Sequence, residues 1–482
     1  MGKKLLFAAF LSATLFLSAL AATADYWRSR QIYQVLTDRF ARSDDSRDAC
    51  ADVSKYCGGT FLGLKNKLDY IASMGFDAIW ISPVVENTDG GYHGYWASDI
   101  YQINKNFGTP QELKDLINAA HDKGIWVMVD VVANHVGPVG MDFSKINPFN
   151  SDSHYHSRCQ INNWDNQTEV EYCRLADLPD LDQNNSYVRQ TLLDWIKNLI
   201  TEYGFDGIRI DTVPEIHPDF WAAFADAAGV YQIGEVFNGN YKYVANYQKY
   251  LNGTLNYPLY GQLYNIFGSR ASMTNFKTHY ENMEAFLDQF LLGNFVDNHD
   301  VPRFLHQFND IRALKAALAF IYCTKGIPIT YYGTEQLFNG GGADHINREA
   351  LWTSGYGETE LTAYLRTLNH GRKHSGWYNH AMVERFVDDS FYAFTRCDMF
   401  FAFTNQPDQN QTRTITYHMY DDGDVLCDMW NPDDCVTVQN GKFDVTLING
   451  AAKVLSLKGE RLGKCSIGWN KKIAEKLFLS IE

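Results

Sequence analysis

The chain has little that would take it into a membrane or onto a nucleic acid. Beyond its first two dozen residues, no apolar run is long enough to span a bilayer. Basic residues are outnumbered, 42 Lys and Arg against 57 Asp and Glu, for a formal charge of −15. Nucleic-acid recognition needs a basic surface, so that class is excluded, and an acidic soluble protein acting on neutral or cationic partners fits instead. There is no internal repeat and no low-complexity linker, so a repeat array is not the architecture.

What is present is length and apolar bulk. The 482 residues suffice for one large domain plus one or two smaller ones, and 45% hydrophobic with 15% aromatic residues indicates a well-packed globular protein. Lys3 and Lys4 precede an apolar run from Leu5 to Leu20, and Ala22-Thr23-Ala24 supplies small residues for cleavage. Residues 1–24 therefore read as a secretory signal, with a mature, extracellular protein beginning near Asp25. Nine cysteines in a secreted chain imply disulfides with at least one thiol left over. Cys50 and Cys57 are close enough for a small loop, Cys159 and Cys173 bracket another, and Cys323 lies in a helical run as a buried free thiol. Pairing among Cys397, Cys427, Cys435 and Cys465 is left open by spacing. Asn166, Asn184, Asn252 and Asn410 head glycosylation sequons.

Strands and helices alternate along the first three quarters of the chain. Gln31–Leu36, Ala78–Pro83, Trp126–Val132, Gly207–Asp211, Tyr231–Val236, Leu255–Tyr260, Phe295–Asp297 and Ile327–Tyr331 are candidate strands. Between them, Phe61–Met74 ends at Gly75, and Thr109-Pro110-Gln111-Glu112 has the form of a capping box opening a helix that Gly124 closes. The run from Thr191 to Tyr203 is a third helix, with Gly204 at its C-cap. Eight strands alternating with helices predict an α/β fold, a closed (β/α)8 TIM barrel over residues 25–382. Residues 136–182 are polar and too long for an ordinary connection, which predicts a small inserted subdomain after strand 3. From 383 to 482, short runs separated by Asp, Asn and Gly predict a C-terminal antiparallel β-sandwich.

Three acids sit just past strand ends: Asp211, Glu235 and Asp300. In a barrel those ends converge on one face. Arg209 and Asp211 share a side of their strand, because strand side chains alternate, and a guanidinium beside a carboxylate favours its ionised form. Glu235 follows an apolar strand, where burial and neighbouring carboxylates would raise its pKa. An acid to protonate a leaving oxygen and an anion to attack an oxocarbenium-like centre are what glycosidic cleavage requires. A salt bridge is the plainer reading of the Arg209–Asp211 pair.

Four stretches in order sharpen the choice: Asp130-Val131-Val132-Ala133-Asn134-His135, Gly207-Ile208-Arg209-Ile210-Asp211, Gly234-Glu235-Val236 and Phe295 through Asp300. With them the chain resembles the α-amylase family, glycoside hydrolase family 13, and within it the secreted fungal enzymes of the Taka-amylase type. The resemblance runs from Ile32 to at least Arg348 and more weakly through Cys465. It implies a retaining, endo-acting α-amylase hydrolysing internal α-1,4 bonds of starch, glycogen and maltooligosaccharides. Asp211 would be nucleophile, Glu235 general acid/base and Asp300 stabiliser of the transition state. His93, His135 and His299 would bond the sugar in the cleaved subsite, with Arg209 beside the nucleophile and Tyr95 offering a flat ring for a pyranose. Trp96 reads as support packing. Asp344 and Arg348 match residues that bind the next sugar on the non-reducing side. A structural Ca²⁺ is implied at Asn134, Glu171, Asp180 and Glu215. The implied disulfides are Cys50–Cys57, Cys159–Cys173 and Cys435–Cys465, with Cys397–Cys427 as an extra one. The implied partners are starch and maltooligosaccharides, for a monomer without nucleic acid or membrane.

Two departures from the family pattern stand out. Related enzymes carry Lys-His a few residues after the nucleophile, where this chain has Val213-Pro214-Glu215, and the Val85–Gly91 connection is shorter than theirs. Both leave product size and the balance between hydrolysis and transfer open. A 4-α-glucanotransferase or maltose-forming amylase using the same site is therefore one competing reading. A non-catalytic glucan-binding or cell-wall protein is another, though such proteins generally lose one of the three acids.

Overall fold

The computed structural model describes residues 24–341 and 345–458. The signal segment, apart from Ala24, lies outside the described residues, as do Asp344 and Cys465.

Eight short parallel strands form the barrel: β1 Ile32–Gln34, β2 Ala78–Ile81, β3 Trp126–Val131, β4 Gly207–Ile210, β5 Tyr231–Gly234, β6 Gly253–Thr254, β7 Gly293–Asn294 and β8 Ile327–Tyr331. They pair in the order β6-β5-β4-β3-β2-β1-β8-β7, and a parallel bridge from Leu255 to Gly293 joins the two ends. Every barrel-strand residue is buried, because the sheet packs side chains on both faces. Ile32, Trp80, Met128, Ile233, Phe295 and Ile329 belong to the cluster that fills the interior. Outward-facing residues such as Ile79, Val129 and Ile208 pack instead in the layer shared with the helices.

The helices form where the local chemistry directs. Thr109 accepts a bond from the Glu112 amide while Glu112 reaches back to the Thr109 amide, a complete capping box with Pro110 in the first turn. The helix Ser186–Tyr203 stops at Gly204, whose φ of 78° lets the chain turn left-handed. Three details differ from the sequence expectation. Phe61–Met74 is broken at Lys67 into Phe61–Asn66 and Leu68–Ser73. The sixth strand is Gly253–Thr254, not Leu255–Tyr260, because Asn256 caps a helix from Tyr257 to Leu263 with Pro258 in its first turn. The seventh is Gly293–Asn294 rather than Phe295–Asp297, and at Gly293 any side chain would strike Ile233 and Ile329.

After β3 the chain makes the excursion that carries residues 136–182. It contains one short helix, Gln167–Tyr172, a Cys159–Cys173 disulfide, and bridges from His135 to Asp180 and from Tyr155 to Leu181. After β2, the ribbon Val85–Asn87 with Ala97–Ile103 borders the same rim, and Asp99 bridges to Asn147 in the excursion.

The C-terminal part is a sandwich. Strands β9 Met382–Val387, β10 Phe391–Arg396, β11 Met399–Thr404, β13 Val425–Asp428, β14 Cys435–Thr437 and β16 Lys453–Leu457 make one antiparallel sheet, ordered β9-β10-β11-β16-β13-β14. The pair β12 Gln411–Ile415 and β15 Phe443–Leu447 faces it across Phe400, Ile415, Leu426, Phe443, Val445 and Leu455. Its other face meets the barrel at the helix Ile311–Cys323, where Phe320 packs on Phe276, Phe403 and Phe394. Cys323 is buried there as a free thiol, as expected.

Cys50–Cys57 and Cys159–Cys173 form as expected. The C-terminal pairing does not. Cys427 bonds Cys435, which overturns both Cys435–Cys465 and Cys397–Cys427. The reason is register: Cys427 and Cys435 face each other directly on β13 and β14, with Cα atoms 4.0 Å apart. Cys397 is itself disulfide-bonded.

Candidate active site

One buried arginine ties the acids together. Arg209 on β4 has no exposed surface, and its Nη1 lies 2.7 Å from Asp211 Oδ1 and 2.9 Å from Asp130 Oδ1. Its Nη2 is 3.0 Å from Glu235 Oε2. The three carboxylates arrive from β3, β4 and the end of β5, so strands far apart in sequence meet on a single guanidinium. Glu235 also accepts from the Thr212 amide at 3.1 Å and from the Tyr257 hydroxyl at 3.5 Å.

Three carboxylates around one cation cannot all ionise cheaply. Burial pushes Glu235 up to about 8, with Asp211 and Asp300 adding to the rise against the pull of Arg209. Burial also raises Asp211, but only to about 6, because Arg209 bonds it directly. Asp130 is likewise raised by burial to about 6. Asp300 goes the other way: burial works to raise it, yet His299, Arg348 and Arg209 together hold it below the ordinary carboxylate value.

Asp300 lies in the loop after β7. Arg348 Nη2 reaches its Oδ1 at 3.3 Å and His299 Nε2 its Oδ2 at 3.4 Å. Arg348 also donates to the His299 carbonyl at 3.0 Å and to the Tyr92 hydroxyl at 3.2 Å, so it is turned inward against Asp300. Asp344 lies outside the described residues.

The histidines are neutral. Burial lowers His299 to about 3, His135 to about 4, and His93 well below its usual value. Gln34 Nε2 donates to His299 Nδ1 at 2.8 Å, which leaves the proton on Nε2, 2.6 Å from the Tyr95 hydroxyl. Tyr95 in turn donates to Asp130 Oδ2 at 2.7 Å. The ring of Tyr95 stacks on both His93 and His299, with centroids 5.5 Å away in each case. Trp96 meets His93 edge-on and supports it from behind.

Sequence reasoning assigned no role to Asp130, Tyr257, Gln34 or Tyr92. For Asp130 a signal existed, since it is the one acid in the apolar strand Trp126–Val131, and a buried charge in such a strand needs a partner. The other three are joined to the site only by tertiary contact.

The four calcium candidates gather at the junction of β3, the excursion and the turn Val213–Glu215. One end of the Asn134 side-chain amide lies 3.0 Å from Asp180 Oδ1 and 3.1 Å from the Glu215 carbonyl oxygen, and its other end 3.2 Å from His135 Nδ1. With the amide oxygen on the first side, three oxygens converge with no proton between them, which is the donor set a hard cation takes. Glu171 comes near through Gln167, whose Nε2 bonds both Glu171 Oε1 and the Pro214 carbonyl at 2.9 Å. Among the described residues no three His, Cys, Asp or Glu side chains form a metal cluster. The set that fits is one carboxylate, one amide and main-chain carbonyls.

A (β/α)8 barrel with paired carboxylates at the C-terminal ends of its strands is the architecture of a glycoside hydrolase. The family described as "Alpha amylase, catalytic domain" matches residues 34–420. "Alpha-amylase 2" of Schwanniomyces occidentalis is 42% identical over 391 residues, covering 77% of each chain. "Alpha-amylase 1" of Lipomyces kononenkoae is 43% identical over 393 residues, and the chain spans 61% of that relative's length. The solved alpha-amylase from Malbranchea cinnamomea superposes with a TM-score of 0.87 at 38% identity, over 90% of this chain and 98% of that one. The chain belongs to the α-amylase family.

Proposed function

We propose that the protein is a retaining, endo-acting α-amylase that cleaves internal α-1,4-glucosidic bonds of starch, glycogen and maltooligosaccharides. The observation that carries this reading is the division of labour around Arg209: Glu235 keeps its proton where Asp211 has lost it. Glu235 protonates the glycosidic oxygen as Asp211 attacks C1 from the other side, giving a glycosyl ester. Glu235, now a carboxylate, takes a proton from the water that attacks C1, and Asp211 leaves as the anion. Asp300, kept anionic by Arg348, accepts hydrogen bonds from sugar hydroxyls that strengthen as charge grows at C1. Neutral His93, His135 and His299 serve the same sugar as hydrogen-bonding groups, and Tyr95 presents its ring to the pyranose. Arg348 acts through Asp300 as a positioning residue.

The Asn134 amide, the Asp180 carboxylate and the Glu215 carbonyl, with Glu171 beside them, would hold a Ca²⁺. When bound, such an ion supplies fixed positive charge that ties residues 136–182 to the barrel. A signal at residues 1–24 and three disulfides among the described residues support a secreted, extracellular protein.

Digestion of soluble starch tests the reading. Glu235→Gln and Asp211→Asn should each lower kcat by about 10²–10⁴-fold in a folded protein. The reducing ends released first should be in the α configuration. Near wild-type turnover by either variant, or β products, would sink it.

A further inference from the structure

The helix Glu360–Ser375, which follows the last barrel strand, carries His370 and His374 one turn apart. Residues four apart on a helix lie one above the other, and these two imidazoles stack with centroids 5.8 Å apart and planes 5° from parallel. Both side chains are partly exposed. Several histidines elsewhere have a polar partner: His121 bonds Asp206 at 2.8 Å, His156 bonds Asp180 at 2.7 Å and His279 bonds Tyr241 at 2.9 Å. Among the described residues His370 and His374 make no hydrogen bond, so their ring nitrogens are unclaimed on one helix face. Burial, with His374, Lys373 and Arg366 adding to it, holds His370 below its usual imidazole value, which keeps its lone pair available at neutral pH. The two neighbouring cations are themselves answered. Lys373 Nζ lies 3.5 Å from Asp77 Oδ2, and Arg366 Nη2 lies 3.0 Å from Glu358 Oε2. The Cβ that Gly75 lacks would touch the His370 ring, and Gly75 just precedes β2, so the pair sits at the end of the barrel opposite the acids.

We infer that His370 and His374 together bind one divalent transition-metal ion of the zinc and copper class, with water filling its remaining positions. Imidazole nitrogen suits those ions, whereas the oxygen donors at Asn134, Asp180 and Glu215 suit calcium, so the two ions do not compete for one site. Metal–nitrogen bonds of about 2.0–2.1 Å need the donor nitrogens closer together than the stacked centroids, which rotation about the side-chain bonds supplies. The ion clamps the last turn of the helix where that turn braces the barrel floor. Arg372, between the two ligands, donates to the carbonyls of Arg30 at 3.1 Å, Arg28 at 2.7 Å and Gly326 at 3.0 Å. Gly376 then ends the helix and the chain passes to the sandwich.

The test uses untagged protein saturated with calcium, titrated with Zn²⁺ alone and followed by isothermal calorimetry. Wild type should take up one ion per chain, and its Tm should rise with Zn²⁺ concentration as mass action requires. His370→Ala and His374→Ala should each weaken the affinity by at least about tenfold while starch turnover stays unchanged. Unchanged turnover also shows that each variant is folded. With Cu²⁺ in place of Zn²⁺, the electron paramagnetic resonance of wild type should show coupling to two imidazole nitrogens, and that of each variant to fewer. Absence of Zn²⁺ uptake by wild type, or equal uptake by wild type and both variants, would overturn the site. Loss in only one variant would assign the ion to that histidine with other ligands, and would overturn the pair as well.

Discussion

Replacing Arg209 with Leu removes the one cation on which Asp130, Asp211 and Glu235 converge. Taking each charge separation as about 4 Å and an effective dielectric of about 20, each contact contributes about 4 kcal/mol before the cost of dehydrating the charges. Breaking a buried pair by removing one partner typically costs about 3–5 kcal/mol, so that is the expected deficit with the carboxylates ionised. Unfolding entropy of about 2.1 cal/mol/K per residue gives about 1.0 kcal/mol/K for a chain of this size, which makes the deficit about 3–5 °C in Tm. The sign of its pH dependence follows from linkage. Without Arg209 all three carboxyls have folded-state pKa values further above their unfolded ones, so the folded protein binds more protons and loses stability as pH rises between the two. The wild-type minus variant difference in Tm should therefore be small at pH 5, where all three carboxyls hold their protons in both proteins, and should grow as pH rises to 8. Scanning calorimetry of both proteins at fixed calcium concentration and scan rate measures it. A difference that is flat, or that grows as pH falls, would refute the view of Arg209 as the counter-charge of three acids.

The pH profile of kcat/KM for wild type should be bell-shaped, its acid limb set by deprotonation of Asp211 and its alkaline limb by loss of the Glu235 proton. Because burial and neighbouring carboxylates raise Glu235 furthest, the alkaline limb should lie above the ordinary carboxylate range; a single-limbed profile counts against the pair. Chelation with EGTA should lower Tm, and Asn134→Ala should abolish the difference between chelated and calcium-loaded protein. If both proteins respond equally, the ion sits elsewhere. Replacing Cys427 and Cys435 together by Ser should cost about 2–3 kcal/mol of stability for so short a loop, leaving starch turnover in the folded protein unchanged. A Tm equal to wild type would show that the bond does not constrain the sandwich.

Local chemistry made most of the barrel readable. Gly204 ends its helix for the reason its position suggests, and the Thr109–Glu112 box is realised atom for atom. What failed were strands too short to carry a pattern. β6 and β7 are two residues each, and the apolar stretch after Thr254 reads as strand by composition although Asn256 and Pro258 start a helix there. The Cys427–Cys435 bond was hidden for a related reason: eight residues of separation say nothing of register, and only the pairing of β13 with β14 sets the two cysteines opposite one another. At the site, the acids were legible because strand ends converge in any such barrel. For Asp130 the motif alone does not reveal a role, because its partner Arg209 lies on the next strand and the two meet only through strand pairing.

A side chain at the end of a barrel strand is buried on every side but one, so its ionisation is decided by neighbours and not by solvent. Arg209 supplies a single positive charge to three acids, and geometry shares it unequally: Asp211 receives a 2.7 Å hydrogen bond, Glu235 a longer contact from the other nitrogen. Asp300 takes its stabilisation largely from a separate cation, Arg348. Proton affinity therefore rises from Asp300 through Asp211 to Glu235, the order that the proposed roles of stabiliser, nucleophile and acid require. An added positive charge beside Glu235 would lower its proton affinity toward that of Asp211 and erase the distinction. Such a charge would be Thr212→Lys, whose backbone amide now bonds Glu235 Oε2. The alkaline limb of that variant should move to lower pH and its maximal kcat should fall; an unshifted limb would mean that something other than local charge holds the Glu235 proton.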